Sequence, residues 1–252
     1  MALERVRARI AAAALRAGRQ PEDVTLVAVS KTFPAAAVVE AIAAGQRDFG
    51  ENRVEEALPK IGECADLLRG SGFVDQQEVR WHLIGHLQSR KVKDALGHFD
   101  LIHSVDSFKL AETIDRRIIT LSTLESPNSN PQSILLECNI SGEKSKSGFR
   151  VAGWDTDPAV FAAFAREVEQ MAALPNVRLR GLMTMAPVVE QAELARPCFA
   201  GMRALRDALR ARIPAIAWDH LSMGMSDDFE VAVAEGATLV RIGRAIFGER
   251  TP

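Results

Sequence analysis

The 252-residue sequence predicts an α/β fold: a (β/α)8 TIM barrel with an extra N-terminal helix, formed as a single domain over residues 1–252. Eight short apolar runs alternate with longer segments of helical periodicity, which is the pattern of a parallel sheet. Eight strand–helix units suit a chain of this length. No linker-like composition marks a domain boundary, which disfavours the competing doubly wound sheet with a second domain.

The first predicted element is an amphipathic helix at the N-terminus. Leu3, Val6 and Ile10 recur at helical spacing. A signal peptide or transit peptide is disfavoured, because Arg16 interrupts a short apolar run and the segment contains Glu4 but no Ser.

The first half of the chain then supplies four strand–helix units. The first predicted strand is apolar on both faces, as a parallel sheet requires. Pro34 and Gly45 bound the following helix, since Pro suits a first helical turn and Gly a helix end. Ser107 is a suitable N-cap for the fourth helix. The strands are residues 24–29, 47–49, 79–84 and 99–105, and the helices are residues 34–45, 52–61, 88–96 and 107–121.

The second half of the chain supplies four more strands. Residues 126–132 form a loop by composition, and residues 141–148 form a polar loop that we expect to be mobile. The strands are residues 134–140, 177–185, 215–221 and 238–242, and the helices are residues 158–174, 190–212 and 227–235.

Composition excludes several classes of function. A net charge of −2 without a basic cluster argues against nucleic-acid binding, and no apolar stretch is long enough to span a membrane. Cys64, Cys138 and Cys198 lie far apart and suggest no disulfide framework, which fits a reducing compartment. The chain has no Tyr, so any mechanism that needs a phenol is excluded.

The candidate site is predicted at the carboxyl ends of the strands, where barrel active sites lie. Lys31 ends the first strand. An apolar mouth disfavours its ammonium form and lowers its pKa, so the neutral amine could form a Schiff base with a carbonyl. The alternative is a Lys that extends to the rim and pairs with Glu51.

The last two strand ends predict a phosphate site, which barrels often place there. Gly224 and Gly243 permit close approach of the backbone to an anion. Ser222 or Ser226 could add a hydroxyl, and Ser226 could also cap the following helix. The alternative is a pair of ordinary turns with a capping Ser.

A Lys that can form a Schiff base, together with a phosphate site, is the combination expected of a site for pyridoxal 5′-phosphate. Arg241 lies within an otherwise apolar strand, and a buried guanidinium needs a partner. Because Arg only donates, it would face an unprotonated ring nitrogen and weaken the cofactor as an electron sink. A salt bridge from Arg241 to a neighbouring strand end, such as Glu51, is the alternative.

Two histidines have a spacing that would suit metal ligands on a helix. His82 and His86 are four residues apart, but they straddle a strand end and no third ligand is evident. We therefore predict no metal, and we place His82 near the cofactor.

Seven motifs occur in one order along the chain: VAVSK (27–31), FGEN (49–52), WHLIGHLQ (81–88), HSVD (103–106), GLMTM (181–185), LSMGMS (221–226) and VRIG (240–243). Together they resemble the pyridoxal-phosphate homeostasis protein family, single-barrel relatives of the N-terminal domain of alanine racemase. The resemblance covers nearly the whole chain. Residues 126–132 look longer than the usual connection of the family.

The resemblance implies a cytoplasmic monomer that holds pyridoxal phosphate as an internal aldimine and serves cofactor homeostasis or transfer. No firm reaction and no catalytic residue come with it, and pyridoxal-phosphate-dependent apo-enzymes are the candidate recipients. It implies that Asn52 lies beside the cofactor and that Arg241 faces the ring nitrogen. By the same implication Lys31 carries the cofactor, and the phosphate is held, partly through backbone, by Ser222, Met223, Gly243 and Arg244.

The alternative function is a weak pyridoxal-phosphate-dependent racemase or lyase, or an aldolase that uses Lys31 without a cofactor. Alanine racemases take their second base, a Tyr, from a separate C-terminal domain, and a further Tyr helps hold the phosphate. In this chain Ala35 stands at the position of the Tyr that helps hold the phosphate, and the chain has no Tyr at all. Two-base racemisation of the usual kind is therefore excluded, whereas a slow one-base activity through Lys31 stays open.

Overall fold

The computed structural model describes residues 2–70, 79–124 and 130–249, and it confirms the predicted parallel barrel. Each strand pairs with the next one along the chain, and the last strand pairs with the first, so the sheet closes. The barrel strands are β1 Thr25–Val29, β2 Asp48–Glu51, β3 Arg80–Leu83, β4 Leu101–Val105, β5 Gln132–Asn139, β6 Val177–Met183, β7 His220–Ser222 and β8 Leu239–Ile242.

Helices surround the barrel, and the predicted N-terminal helix precedes β1. Within the described residues no helix has both the length and the apolar character needed to cross a membrane. The helices are α1 Ala2–Arg16, α2 Ala35–Ala43, α3 Val54–Gly70, α4 Val92–Ala95, α5 Phe108–Leu124, α6 Pro158–Ala172, α7 Arg196–Arg212, α8 Phe229–Ala234 and α9 Arg244–Phe247.

Two helices differ from their predicted bounds by more than five residues. The prediction ended α3 at residue 61, but buried Cys64 and Leu68 continue its apolar face to Gly70. The prediction began α7 at residue 190, whereas Ala192–Ala195 form a 3-10 turn and Pro197 occupies the first turn of the α-helix. Pro lacks an N–H and is favoured at such a helix start.

The seventh strand is shorter than predicted. Residues 215–221 were expected to be extended, but Trp218 has a φ of 52° and β7 begins only at His220. A left-handed residue cannot continue a strand. Trp218 is fully buried, and its indole N–H donates to the carbonyl of Ile213 at 3.1 Å. The turn therefore fixes a large side chain in the core.

The connection after α5 was predicted as a loop over residues 126–132, of which residues 126–129 lie outside the described part of the chain. Gln132 is not in a loop, since it begins β5. Ser107 caps α5 as predicted, because the N–H of Leu110 donates to its hydroxyl at 3.3 Å. A two-residue strand, Phe149–Arg150, adds to β5 outside the barrel and was not predicted.

The loop over residues 141–148 is held by hydrogen bonds, although a mobile loop was expected. The side-chain amide of Asn139 donates to the carbonyls of Glu143 and Lys146, at 2.8 and 3.2 Å. The ammonium of Lys146 in turn donates to the carbonyl of Met185 at 3.1 Å. The loop is therefore anchored to the ends of β5 and β6.

Apolar side chains fill two separate regions. A large cluster lies between the sheet and the helices, and five buried residues form a smaller cluster that we call the barrel plug. The barrel strands also carry buried polar side chains, such as Arg241, which is in register with Val27, so the barrel core is not uniformly apolar. The barrel plug consists of Val27, Leu101, Leu135, Met183 and Leu239.

Candidate functional site

The turn after β1 presents Lys31 at the carboxyl end of the barrel. Thr32, which follows it, is β-branched and has a φ of 68°. Such a residue rarely adopts this conformation, and strained positions of this kind cluster at functional sites. The N–H of Thr32 donates to the carboxylate of Glu56 on α3, which holds the strained turn in place.

A buried ion pair lies behind this turn. The ammonium of Lys60 donates to Glu51 Oε1 and to the carbonyl of Ser30, both at 2.8 Å, and the Ser30 hydroxyl donates to the same Glu51 oxygen at 2.7 Å. Burial raises the pKa of Glu51, although the hydrogen bond from Lys60 acts to lower it. Glu51, which the sequence offered as a partner for Lys31 or Arg241, therefore points outward to α3.

Lys60 was not among the predicted residues. Its position follows Ala57 and precedes Cys64 at helical spacing, and both of these are buried. A Lys on the apolar face of a helix is the sequence signal that would have marked it, because a buried ammonium needs a partner.

Three of the predicted residues line one cleft of about 320 Å³. These residues are Lys31 after β1, and Gly243 and Arg244 after β8. A Cβ at Gly243 would stand 3.1 Å from the carbonyl oxygen of Val29, so a larger residue here would require a shift of a few tenths of an ångström between β8 and β1. The cleft is further lined by Val29, Phe33, Gly248 and Glu249, and its lining does not include Asn52, Ser222, Met223 or Arg241.

Asn52 follows β2 and is partly buried. Its backbone lies against Gly85 after β3, where a Cβ would stand 2.4 Å from the Asn52 carbonyl oxygen. The two strand ends are therefore packed backbone to backbone.

The loop after β7 is a tight turn. Gly224 has a φ of 93°, and a Cβ there would meet the Ala232 Cβ at 2.6 Å, so glycine is required. The prediction that Ser226 caps the next helix is wrong, because α8 begins at Phe229 and Asp228 is its N-cap residue. The Asp228 carboxylate instead accepts the N–H of Met225 at 2.6 Å.

Met223 contributes to the outer core. Its side chain is fully buried in the cluster between sheet and helices, and its N–H donates to the carbonyl of Leu239 at 3.1 Å. Both the side chain and the N–H of Met223 are therefore committed to contacts within the fold.

Arg241 is buried inside the barrel, level with Val27 of β1 and two residues below Gly243. Its guanidinium donates to the Ser222 hydroxyl at 2.6 Å and to the carbonyl of Thr184 at 2.9 Å. The alternative of a salt bridge is wrong within the described residues, where no carboxylate pairs with Arg241. Burial lowers its pKa to about 10, partly offset by the more distant Asp228 and Glu137.

His82 lies in the same interior, below the mouth. Its ring contacts the ring of His103 and the carboxylate of Asp48. His86 points elsewhere and pairs with Asp106 at 3.3 Å. Among the residues that the structure describes, no group of three or more side chains could hold a metal ion.

Comparison with known proteins shows the same family over almost the whole chain. Residues 1–251 match the family described as alanine racemase, N-terminal domain. A protein named pyridoxal phosphate homeostasis protein from Escherichia coli K12 is 44% identical over 98% of this chain and 95% of its own.

Solved structures agree with this result. PipY of Synechococcus elongatus PCC7942, determined without and with pyridoxal phosphate bound, is 39% identical over 96% of this chain, with TM-scores of 0.78 and 0.75. The structure covers 99% and 100% of those two chains. Alanine racemase of Clostridium difficile 630 is 13% identical over 90% of this chain and 52% of its own, with a TM-score of 0.59, which shows the fold alone. The chain therefore belongs to the pyridoxal phosphate homeostasis proteins, within the alanine racemase N-terminal domain family.

Proposed function

We propose that this chain is a single pyridoxal 5′-phosphate-binding domain over residues 1–252 that stores or delivers the cofactor in the cytoplasm. The observation that carries the proposal is Lys31, held by a strained turn in the same cleft as Gly243 and Arg244. PipY, which has the same fold and 39% identity, has been determined with this cofactor bound.

The side chains at the mouth fit the chemistry of the cofactor. The cofactor supplies an aldehyde that condenses reversibly with an amine, and Lys31 provides that amine. The Arg244 guanidinium pairs with the carboxylate of Asp227, at 2.5 and 2.6 Å. The main-chain N–H groups of Gly243 and Arg244 are therefore the donors that would hold the phosphate. Asn52 would flank the ring. The resemblance also assigns Ser222 and Met223 to the phosphate, but the Met223 N–H donates to the Leu239 carbonyl at 3.1 Å, so Met223 is not among the contacts that we propose.

Arg241 suits a neutral ring nitrogen. It has no carboxylate partner within the described residues, and its guanidinium offers donors only. An unprotonated nitrogen is an acceptor, so Arg241 would bind it and keep it neutral. This arrangement favours binding over reactions that need a strong electron sink.

We assign no catalytic residue. The chain contains no Tyr to act as a second base, and the proposal is therefore a carrier whose recipients are pyridoxal-phosphate-dependent apo-enzymes. A weak racemase or lyase is the alternative, and a screen of D- and L-amino acids separates the two. We expect turnover no faster than with free cofactor, and clear turnover above that level would favour the enzyme.

The binding proposal is tested with Lys31→Ala. Adding pyridoxal phosphate to the wild-type protein should give the visible absorption band of a covalent adduct at one equivalent per chain, and the variant should give none. Lys109→Ala is the matched control, because Lys109 is an exposed Lys on α5 that does not line the cleft.

Borohydride reduction followed by peptide mapping identifies the modified residue. We expect the label on Lys31. An unchanged band in Lys31→Ala, or a label that maps to another Lys in the wild-type protein, would contradict the proposal.

A further inference from the structure

A continuous chain of buried hydrogen bonds crosses the barrel interior and ends at Arg241. The Arg241 guanidinium contacts Ser222 Oγ at 2.6 Å, and Ser222 Oγ contacts His103 Nδ1 at 2.8 Å. His103 Nε2 contacts His82 Nδ1 at 2.9 Å, and His82 Nε2 contacts Asp48 Oδ1 at 3.0 Å. We call these five side chains the interior relay; all are buried, and they come from β8, β7, β4, β3 and β2.

The two ends of the relay fix its direction. Arg241 can only donate. Asp48 accepts two hydrogen bonds from Arg80, at 2.7 and 2.6 Å. Burial raises the pKa of Asp48, but the hydrogen bonds from His82 and Arg80 outweigh it and leave the pKa lowered. Asp48 is therefore an ionised acceptor whose charge Arg80 already balances.

When both rings are neutral, the middle of the relay has one consistent arrangement. A neutral imidazole donates from one nitrogen and accepts at the other. His82 donates from Nε2 to Asp48, so its Nδ1 accepts from His103 Nε2. His103 Nδ1 must then accept the hydroxyl proton of Ser222, whose oxygen accepts from Arg241. Burial holds the pKa of His103 well below its ordinary value, which keeps this ring neutral.

We propose that Asp48, His82 and His103 are positioning residues that act through Ser222 to hold Arg241 as the donor to the cofactor ring nitrogen. The inference rests on the proposed function for the identity of the ligand. It also gives Ser222 a definite task. Its hydroxyl proton is committed to His103, so its side chain serves Arg241 and cannot donate to the phosphate.

The first test reads the relay without cofactor. Long-range proton–nitrogen correlation spectra of the apo-protein, labelled with 15N-histidine, report which ring nitrogen carries the proton. Signals are assigned with His82→Gln and His103→Gln. We expect both rings neutral, with Nε2 protonated and Nδ1 bare. A protonated Nδ1 on His103, or a doubly protonated His82, would overturn the proposed direction.

The second test is a double-mutant cycle on the dissociation constant for pyridoxal phosphate. Asp48→Asn replaces a fixed acceptor by an amide that can also donate, and we expect binding to weaken about tenfold. In the Ser222→Ala background the same substitution should have no further effect, because the connection to Arg241 is already cut. Additive effects of the two substitutions would contradict the relay.

Asp219→Asn is the matched control for Asp48→Asn. Asp219 also pairs with an arginine, Arg180 at 2.7 Å, but it does not touch the relay. We expect unchanged binding and unchanged His103 tautomer. If the wild-type protein bound no cofactor, the proposed function would fail, while the apo-protein spectra would still decide the relay.

Discussion

At the scale of single residues, His103 makes stability depend on pH. Burial first, and then the nearby His82, Arg241 and His220, lower its pKa far below 6.5. Below about pH 6.5 the ring of His103 binds a proton in the unfolded chain, whereas in the folded chain it stays neutral. The stabilisation from His103 is therefore complete above the unfolded pKa and is lost as pH falls below it.

The prediction compares the wild-type protein with His103→Gln. Between about pH 6.5 and about pH 5.5, the free energy of unfolding of the wild-type protein should fall by about 1 kcal/mol more than that of the variant, since about one proton is taken up on unfolding. Urea titrations at the two pH values measure this difference. His98→Gln, at an exposed position, should keep the steeper slope of the wild-type protein. Equal slopes for His103→Gln and the wild-type protein would show that His103 is protonated in the fold.

Some residues of the site were accessible from sequence and others were not. Lys31 and Arg241 stand out because each is a charged residue at or in an apolar strand. The role of Asp48 and His103 depends on which strands become neighbours and on their register, which a single sequence does not display. For the same reason the sequence offered Glu51 as a partner for Arg241, whereas the structure pairs it with Lys60.

At the scale of elements, α1 is an integral part of the fold. Leu3, Val6 and Ile10 are buried, and Arg9 pairs with Glu230 on α8 at 3.1 Å. The helix therefore covers an apolar surface of the barrel and does not project from it.

Two substitutions on α1 test this packing. Ile10 is 4% exposed, so Ile10→Ala should lower the free energy of unfolding by about 2 to 4 kcal/mol. Leu15 lies on the same helix but is 62% exposed, and Leu15→Ala should change it by less than about 0.5 kcal/mol. Chemical unfolding monitored by circular dichroism gives both values. Similar small effects at the two positions would mean that α1 is detached in solution.

Element types were easier to predict than element bounds. Apolar periodicity predicted all eight barrel strands. Every strand except β7 begins and ends within two residues of the predicted positions. The shortening of β7 depends on the left-handed Trp218, and the start of α7 depends on how Pro197 is placed. Both are decided by packing and turn geometry, to which an averaged hydrophobic pattern is insensitive.

At the scale of the whole molecule, closure of the sheet bears on assembly. Every barrel strand has a partner on both sides, so the barrel offers no open edge to a second chain. Closure excludes pairing between the strand edges of two chains, and together with the family resemblance it leads us to predict a monomer. Light scattering coupled to size-exclusion chromatography should give the mass of one chain, with and without saturating pyridoxal phosphate. A mass of two chains in either state would contradict the prediction.

The three tryptophans give the molecule an optical signal of its own. Trp218 is fully buried, Trp81 packs on Phe49 with ring centroids 5.6 Å apart, and Trp154 packs on Phe161 at 5.8 Å. Because the chain has no Tyr, all its fluorescence comes from indoles, without a phenol background. Unfolding should shift that emission to longer wavelength, and a bound chromophore that absorbs it would quench the folded signal. The protein can therefore report both its own folding and its own loading without any attached label.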